Sequence, residues 1–503
     1  MKKILISVVI LLIAGDITAQ NALEAMRFNQ TTFGGTARVL GVGGAFGAVG
    51  GDLSSAGINP AGLGLMRRND FSGSLGFSNY RTTSDYIGST QQAGRFTLNI
   101  PSFGIAGTSM NFHKGKEVKS GVVSNTFAFN YQRINNFQRN ILMQGNNNSS
   151  SILDYYAELT TNNNWTPTQL DEYDEPIFVE ELAWRTYLID PVDPNNPNNK
   201  EYVAAINDSL TDVTQTNELR NKGAMSEMNF AYAMNISNRL YLGFGLNVLT
   251  ARFEEINTFK ETDNPNNKSN NYNSSESITD ISTRGNGVNG KFGAIVKVND
   301  YFRFGVNYQT ATSLKLKDDY YYEINSSLDD GSVYSNFTPV QQWEYRLKIP
   351  AKLTASAAVI MGKHGFLSVD VEQVDYTQAL ISKQYEDYSA ENNEIRSLYD
   401  KATNVRAGLE IVQGMFRFRT GMAYYETPYN ERVLPNNRGK YSTKSYSLGA
   451  GIFKEEFYLD LALVNTRRTE FYSPYITESR QYYTAENKLS NTNLVITFGA
   501  KFD

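Results

Sequence analysis

From residue 70 onward the chain alternates apolar and polar residues with a period of two, in segments about ten residues long, which is the signature of β-strands with two different faces. In 302–310, Phe302, Phe304, Val306 and Tyr308 point one way and Arg303, Gly305, Asn307 and Gln309 the other. In 415–425, Phe416, Phe418 and Met422 oppose Arg417, Arg419 and Gly421; in 365–375, Leu367, Val369 and Val371 oppose Ser368, Asp370 and Glu372. Fourteen segments carry the pattern: 70–79, 102–111, 121–134, 226–235, 240–253, 288–298, 301–313, 350–360, 365–375, 403–412, 415–425, 443–454, 456–467 and 493–502.

The links between them alternate in length. Ser237–Arg239, Asn299-Asp300, Met361–His364 and Gln413-Gly414 are tight, whereas 135–225, 254–287, 314–349, 376–402, 426–442 and 468–492 are long and polar. Tight turns at one end and long loops at the other are the pattern of an outer-membrane barrel, with turns periplasmic and loops extracellular. A charge on the lipid face costs a few kcal/mol at the midplane, so the charged face is expected to be the lumen. An even strand number returns both barrel ends to the periplasmic side.

The ends of the chain agree. Met1-Lys2-Lys3, an apolar run from Ile4 to Ala14 and the small residues before Gln20 read as a secretory signal peptide over 1–20. That run is too short for a spanning helix, which needs about 20 apolar residues. The last segment alternates strictly, with Leu494, Ile496, Phe498 and Phe502 on one face. It resembles the terminal strand read by barrel-assembly machinery, although Asp503 follows the final Phe.

Composition adds three points. The 32 Tyr and 28 Phe suit the aromatic girdles of a barrel, and the 39 Gly suit a crowded lumen. A net charge of −5 does not point to nucleic acid, and the absence of Cys removes disulfides and thiolate metal sites. The two histidines, His113 and His364, fall in or near expected periplasmic turns, away from any nucleophile that a Ser–His hydrolase would need and from any haem pocket. The Asn/Asp-rich stretches Asp190–Asn199 and Asp329-Asp330-Gly331 lack EF-hand spacing and read as solvated loop. No enzyme activity and no cofactor are expected.

Residues 21–69 do not read as strand. Gly34-Gly35-Thr36-Ala37-Arg38, then Gly41 to Asp52, then Asn59-Pro60-Ala61-Gly62-Leu63 form an apolar, glycine-rich stretch of a size to fold inside a barrel. No GK[ST] follows these glycines, so a phosphate-binding loop is disfavoured.

The order of Gly43-Gly44-Ala45-Phe46, Asp52, Asn59-Pro60-Ala61-Gly62 and a first strand at Phe71-Ser72-Gly73-Ser74-Leu75 resembles the N-terminal hatch of the FadL/TodX family. Met228–Tyr232 with Leu240–Asn247 resembles its central hairpin, and Phe418–Tyr424 with Thr427-Pro428 a late strand and loop. The resemblance implies a 14-stranded antiparallel transmembrane barrel over 70–503, plugged by a hatch over 21–69 that contains Asn59, Pro60 and Gly62. It further implies a monomeric passive channel of a Gram-negative outer membrane that takes up long-chain fatty acids or aromatic hydrocarbons. Its partners would be the apolar ligand and outer-membrane lipids, with barrel-assembly machinery during biogenesis. Some FadL-like barrels of Bacteroidetes-type bacteria instead serve as a partner or shuttle in protein secretion. The Thr18-Ala19-Gln20 signal end and the Asn/Tyr-rich loops resemble such bacteria, so this stands as the alternative.

Two groups of candidate ligand-binding residues follow. The loop 135–225 contains helix-like stretches at 151–160 and 175–189. Phe178, Leu182, Trp184 and Tyr187 either form an apolar capture groove or pack the helices onto each other and cap the barrel. Arg406, Arg417 and Arg419 project into the lumen by alternation; they either meet a ligand carboxylate or form a structural network with Asp370, Glu372, Glu410 and Asp460.

Overall fold

The computed structural model describes residues 22–32, 34–172, 175–206, 212–264, 271–433, 439–478 and 480–503. The expected signal peptide, 1–20, lies outside them, as does residue 21.

Fourteen antiparallel strands form a closed wall. They are β1 (Asn69–Tyr86), β2 (Ser89–Asn99 continued by Ser102–Met110), β3 (Val122–Asn136 continued by Arg139–Asn147), β4 (Val213–Ile236), β5 (Leu240–Asp263), β6 (Tyr272–Lys297), β7 (Phe302–Gln309 continued by Thr312–Leu328), β8 (Gln341–Ile349 continued by Lys352–Ile360), β9 (Gly365–Asp375), β10 (Lys401–Gln413), β11 (Phe416–Tyr425), β12 (Thr443–Lys454), β13 (Phe457–Tyr472) and β14 (Ala485–Phe502). Closure is made by β1 against β14, in register from Asn69 opposite Phe502 to Asp85 opposite Glu486. Closing the sheet pairs the strand edges within the apolar band, which an apolar medium requires.

Each expected segment corresponds to one wall strand, yet several strands run well beyond it. β4 begins at Val213, β5 runs to Asp263 and β6 begins at Tyr272, so much of the chain expected as loop at 213–225, 254–263 and 272–287 is strand. The reason is the change of medium along a strand. Near the short turns the outer wall carries Leu75, Phe230, Leu246, Phe304, Phe418 and Leu461, exposed as lipid contact demands. Farther up, the outward positions become polar: Thr250, Arg252 and Glu254 follow Leu246 and Val248 on the same face of β5. There the inward positions become the apolar ones, namely Leu249, Ala251 and Phe253. The rule that charge marks the lumen holds within lipid and reverses above it.

Inside the wall, ahead of β1, lie α1 (Ala22–Asn29), α2 (Ala37–Gly41), α3 (Ser55–Ile58) and a 3₁₀ turn at Pro60–Leu65. On the side of the long loops, α4 (Ile152–Asn162), α5 (Pro167–Leu170) and α6 (Val179–Arg185) cover the barrel mouth, and α7 (Ser389–Leu398) packs over the ends of β9 and β10 and against α1.

Candidate functional site

Glycines on the inner wall make room for the N-terminal segment. Gly243 stands opposite Gly293 in register, and Gly408 opposite Gly421. A Cβ on Gly243 would overlap the backbone of Pro60 and Ala61, one on Gly293 the Asn59 side chain, and one on Gly421 the backbone of Val42 and Gly43. At Gly243 and Gly421 backbone therefore lies directly on backbone. Asn59 ties the segment together: its Oδ1 accepts from Ala61 N at 3.2 Å, capping the 3₁₀ turn, and its Nδ2 donates to Gly47 O at 2.7 Å. Pro60 supplies the first residue of that turn, where no backbone donor is needed. Gly62 O accepts from Gly51 N at 2.9 Å.

Lumen charges hold this segment in place. Arg38 grips Glu410 through two bonds of 3.0 Å each. Arg419 donates to Glu410 and to Asp460, both at 2.6 Å. Asp370 accepts from the backbone N–H of Phe46 and Gly47, each at 3.1 Å. Lys291 pairs with Glu227 at 2.6 Å and donates to Gly57 O at 2.8 Å. Arg406 lies 3.4 Å from Glu372 and 3.9 Å from Asp370. Arg417 instead stacks on the Phe453 ring at 4.6 Å. The three arginines thus have separate surroundings: Arg419 holds the wall to Glu410 and hence to Arg38, while Arg406 borders a small cavity of about 60 Å³ with Lys291, Lys352, Glu227 and Glu372.

Above this charged floor the lumen is apolar. Leu249 and Phe253 of β5, Leu314 and Leu316 of β7, and Leu347 and Ile349 of β8 face one another. Met26 and Phe28 of α1 fill the space between them, and Ile395 of α7 closes it from above. Phe28 meets Phe137 and Phe253 edge-on, at 5.6 and 6.4 Å between ring centroids. These chamber residues were missed by sequence reasoning. Their signal is present: in 313–317 and 344–349, Leu314, Leu316, Leu347 and Ile349 alternate with Lys315, Lys317, Arg346 and Lys348. It is read correctly only once the strand is known to have left the membrane.

The chamber borders a break in the wall. The first half of β2, Ser89–Asn99, is hydrogen-bonded to β1 alone, and the second half of β3, Arg139–Asn147, to β4 alone. Pro101 interrupts β2 and Phe137-Gln138 interrupts β3 at this level. Among the described residues only side chains bridge the seam: Asn140 Nδ2 donates to Gly94 O at 3.3 Å, Gln91 to Gln144 at 3.4 Å, and Arg95 reaches Asn221 O of β4 at 3.2 Å. Ile134 and Phe137, both in the chamber cluster, sit behind it, and Thr32 N donates to Ile134 O at 2.8 Å.

On the extracellular cap the four candidate residues do not converge. Leu182 is fully buried among Leu153, Tyr156 and Leu170. Trp184 lies edge-on to Tyr202 and donates to Asp171 at 3.0 Å. Phe178 packs on Trp165 at 5.5 Å, and Tyr187 on Tyr334 at 4.6 Å, both still exposed. Burial raises the Glu180 carboxyl above its ordinary range within this cap, where Asn163 donates to it at 2.7 Å.

Residues 175–463 match the family model described as outer membrane protein transport protein (OMPP1/FadL/TodX). Among solved structures, the chain resembles a Pseudomonas aeruginosa FadL homologue (TM-score 0.52, 13% identity, covering 94% of this chain and 98% of that one). It also resembles the P. putida toluene transporter TodX (TM-score 0.52, 12% identity, covering 94% and 99%). At these identities the likeness is one of fold. A comparison with curated proteins finds no match.

Proposed function

Because the chain belongs to the outer membrane protein transport family (OMPP1/FadL/TodX), and is thus an outer-membrane channel for hydrophobic compounds rather than an enzyme, we propose that it takes up long-chain fatty acids or monoaromatic hydrocarbons through the apolar chamber. The chamber itself carries this reading. A pore for hydrophilic solutes has no use for a ring of buried Leu, Ile and Phe in its lumen, whereas an apolar ligand gains by exchanging water for that surface. Phe178 and Tyr187, exposed on the cap, are the first apolar contacts. The ligand then takes the place of Met26 and Phe28, so that α1 acts as a displaceable occupant and residues 22–68 as the hatch. Arg406 and Lys352 at the floor meet a carboxylate when the ligand has one. The seam between β2 and β3 is the exit, opening sideways at the upper edge of the lipid-facing band, where Phe96 and Leu98 are exposed on the outer wall.

Two variants test this. In cells supplied with labelled oleate or toluene, Leu316→Asp puts an unpaired carboxylate into the chamber and lowers uptake to the level of cells lacking the protein. Full uptake by a correctly folded Leu316→Asp barrel would exclude the chamber. The chain has no cysteine of its own, so Gly94→Cys with Asn140→Cys staples the seam specifically. Oxidation then slows uptake and a reductant restores it; uptake indifferent to the staple sends the ligand out through the periplasmic floor instead.

A further inference from the structure

One sector of the outer wall, just above the lipid-facing band, is basic in a way the ladder itself disfavours. Arg252 of β5 stands directly opposite Arg284 of β6, and Arg284 directly opposite Lys317 of β7. In the next outward row below, Lys315 of β7 faces Arg346 of β8, and Arg133 of β3 faces Ser226 of β4. Like charges directly across an antiparallel ladder repel one another. Glu344 is the one acid among them, and it is bound to Lys315 at 2.8 Å. Lys317 donates to the Gln342 amide at 3.1 Å. Among the described residues Arg133, Arg252 and Arg284 form no ion pair, and the Arg133 Nε is buried without a hydrogen-bond partner.

Arg133, Arg252, Arg284, Lys315, Lys317 and Glu344 line a groove of about 620 Å³, with Arg346 across the ladder from Lys315. It is built into the wall. β4 slips register against β3 between Met225 and Ser226, and Gly223 takes a φ of +109°. A Cβ there would overlap the Arg252 carbonyl. Gln138, Ser226, Thr250 and Asn286 add neutral hydrogen-bonding groups between the charges.

The groove is continuous with the surface that meets lipid. Val248 faces Val288 on the same ladder, four residues below Arg252 and Arg284, or ~13 Å along the strand. Phe230, Leu246 and Phe292 extend the apolar face downward. The sector lies toward the long loops, away from the tight turn at Ser237–Arg239, and so at the outer leaflet.

We propose that this groove binds the phosphorylated headgroup of the outer-leaflet glycolipid, lipopolysaccharide, with its acyl chains laid along Val248, Val288 and the apolar band. A phosphate seated between Arg252, Arg284 and Lys317 turns three mutually repelling cations into charge-assisted hydrogen-bond donors, and guanidinium forks match phosphate oxygens two at a time. Neither the register of like charges nor the bulge that opens the groove is needed for a wall that merely faces water.

Native mass spectrometry of the full folded chain, released from mild detergent, tests the proposal with three probes: bisphosphorylated lipid A, the same lipid dephosphorylated, and inorganic phosphate. The wild type is expected to retain lipid A on the order of tenfold more tightly than its dephosphorylated form, and R252Q/R284Q/K317Q to lose that preference. Folding is read from heat-modifiable gel mobility. Should the triple variant fail to fold, R133Q/K315Q/R346Q removes the lower row and is read in the same way. Undiminished preference in a folded variant overturns the proposal. So does equal retention of the dephosphorylated lipid, or complete displacement of lipid A by millimolar inorganic phosphate, which would make the groove a site for free anions.

Discussion

Glu410→Ala is expected to lower the stability of the barrel by about 3–5 kcal/mol and to free the N-terminal segment from the wall. Glu410 is the hinge of a buried chain of charges, accepting from Arg38 of α2 and from Arg419 of β11. Its side chain is 3% exposed and that of Arg419 0%. With the carboxylate gone, Arg419 keeps Asp460 but carries an uncompensated share of positive charge, and Arg38 loses both of its short bonds. The cost arises from leaving desolvated cations without an anion, not from the attraction of an exposed pair, which is worth far less. Glu410→Gln keeps acceptor capacity without charge and should fall between the two. Denaturant unfolding in bilayers reads the stability, and trypsin cleavage after Arg38 reads the release. An unchanged midpoint with Arg38 still protected would show that the segment is held by packing alone.

Gly421→Val and Gly243→Val should each turn a closed barrel into a leaking one. Both glycines sit where barrel backbone touches segment backbone: Gly421 against Val42 and Gly43, Gly243 against Pro60 and Ala61. The obstructing atoms are main chain on both sides, so no side chain can rotate away. The segment is the more movable partner, since the wall is bound by a ladder on either side of each glycine. Overpacking of this kind costs about 1–3 kcal/mol where neighbours can adjust. Here the adjustment is displacement of the segment and a continuous aqueous path. Planar-bilayer conductance and sensitivity of cells to large hydrophilic antibiotics measure it. Gly73→Val is the control, because a Cβ at Gly73 meets nothing within 4 Å. Variants as tight as the control would mean that the wall gives way instead, and that these glycines do not seat the segment.

The strands within lipid were legible because the bilayer imposes one simple condition: outward residues must be apolar, and charge must face inward. Phe302, Phe304 and Val306 against Arg303 and Asn307 express that condition without reference to any distant residue. The glycine-rich stretch before residue 70 was legible for a similar reason, since its composition reports crowding whatever it crowds against. Above the lipid the same alternation carries the opposite meaning. Lys315 and Lys317 face out, and Leu314 and Leu316 face in. A period of two says only that two faces differ, not which medium each one meets.

The rest depended on partners brought together from far along the chain. Arg406, Arg417 and Arg419 look alike by alternation, but Arg419 meets Glu410 and Asp460, Arg406 meets Glu372, and Arg417 meets an aromatic ring. Phe178, Leu182, Trp184 and Tyr187 share one amphipathic stretch, yet turn to four different neighbours once α6 is packed. Periodicity within the chain was therefore enough for the membrane-embedded strands and their order, because lipid acts on each residue locally. The apolar chamber, the unzipped seam between β2 and β3 and the seating of Asn59 against Gly293 required the closed barrel, because each is a relation between surfaces that only closure brings face to face.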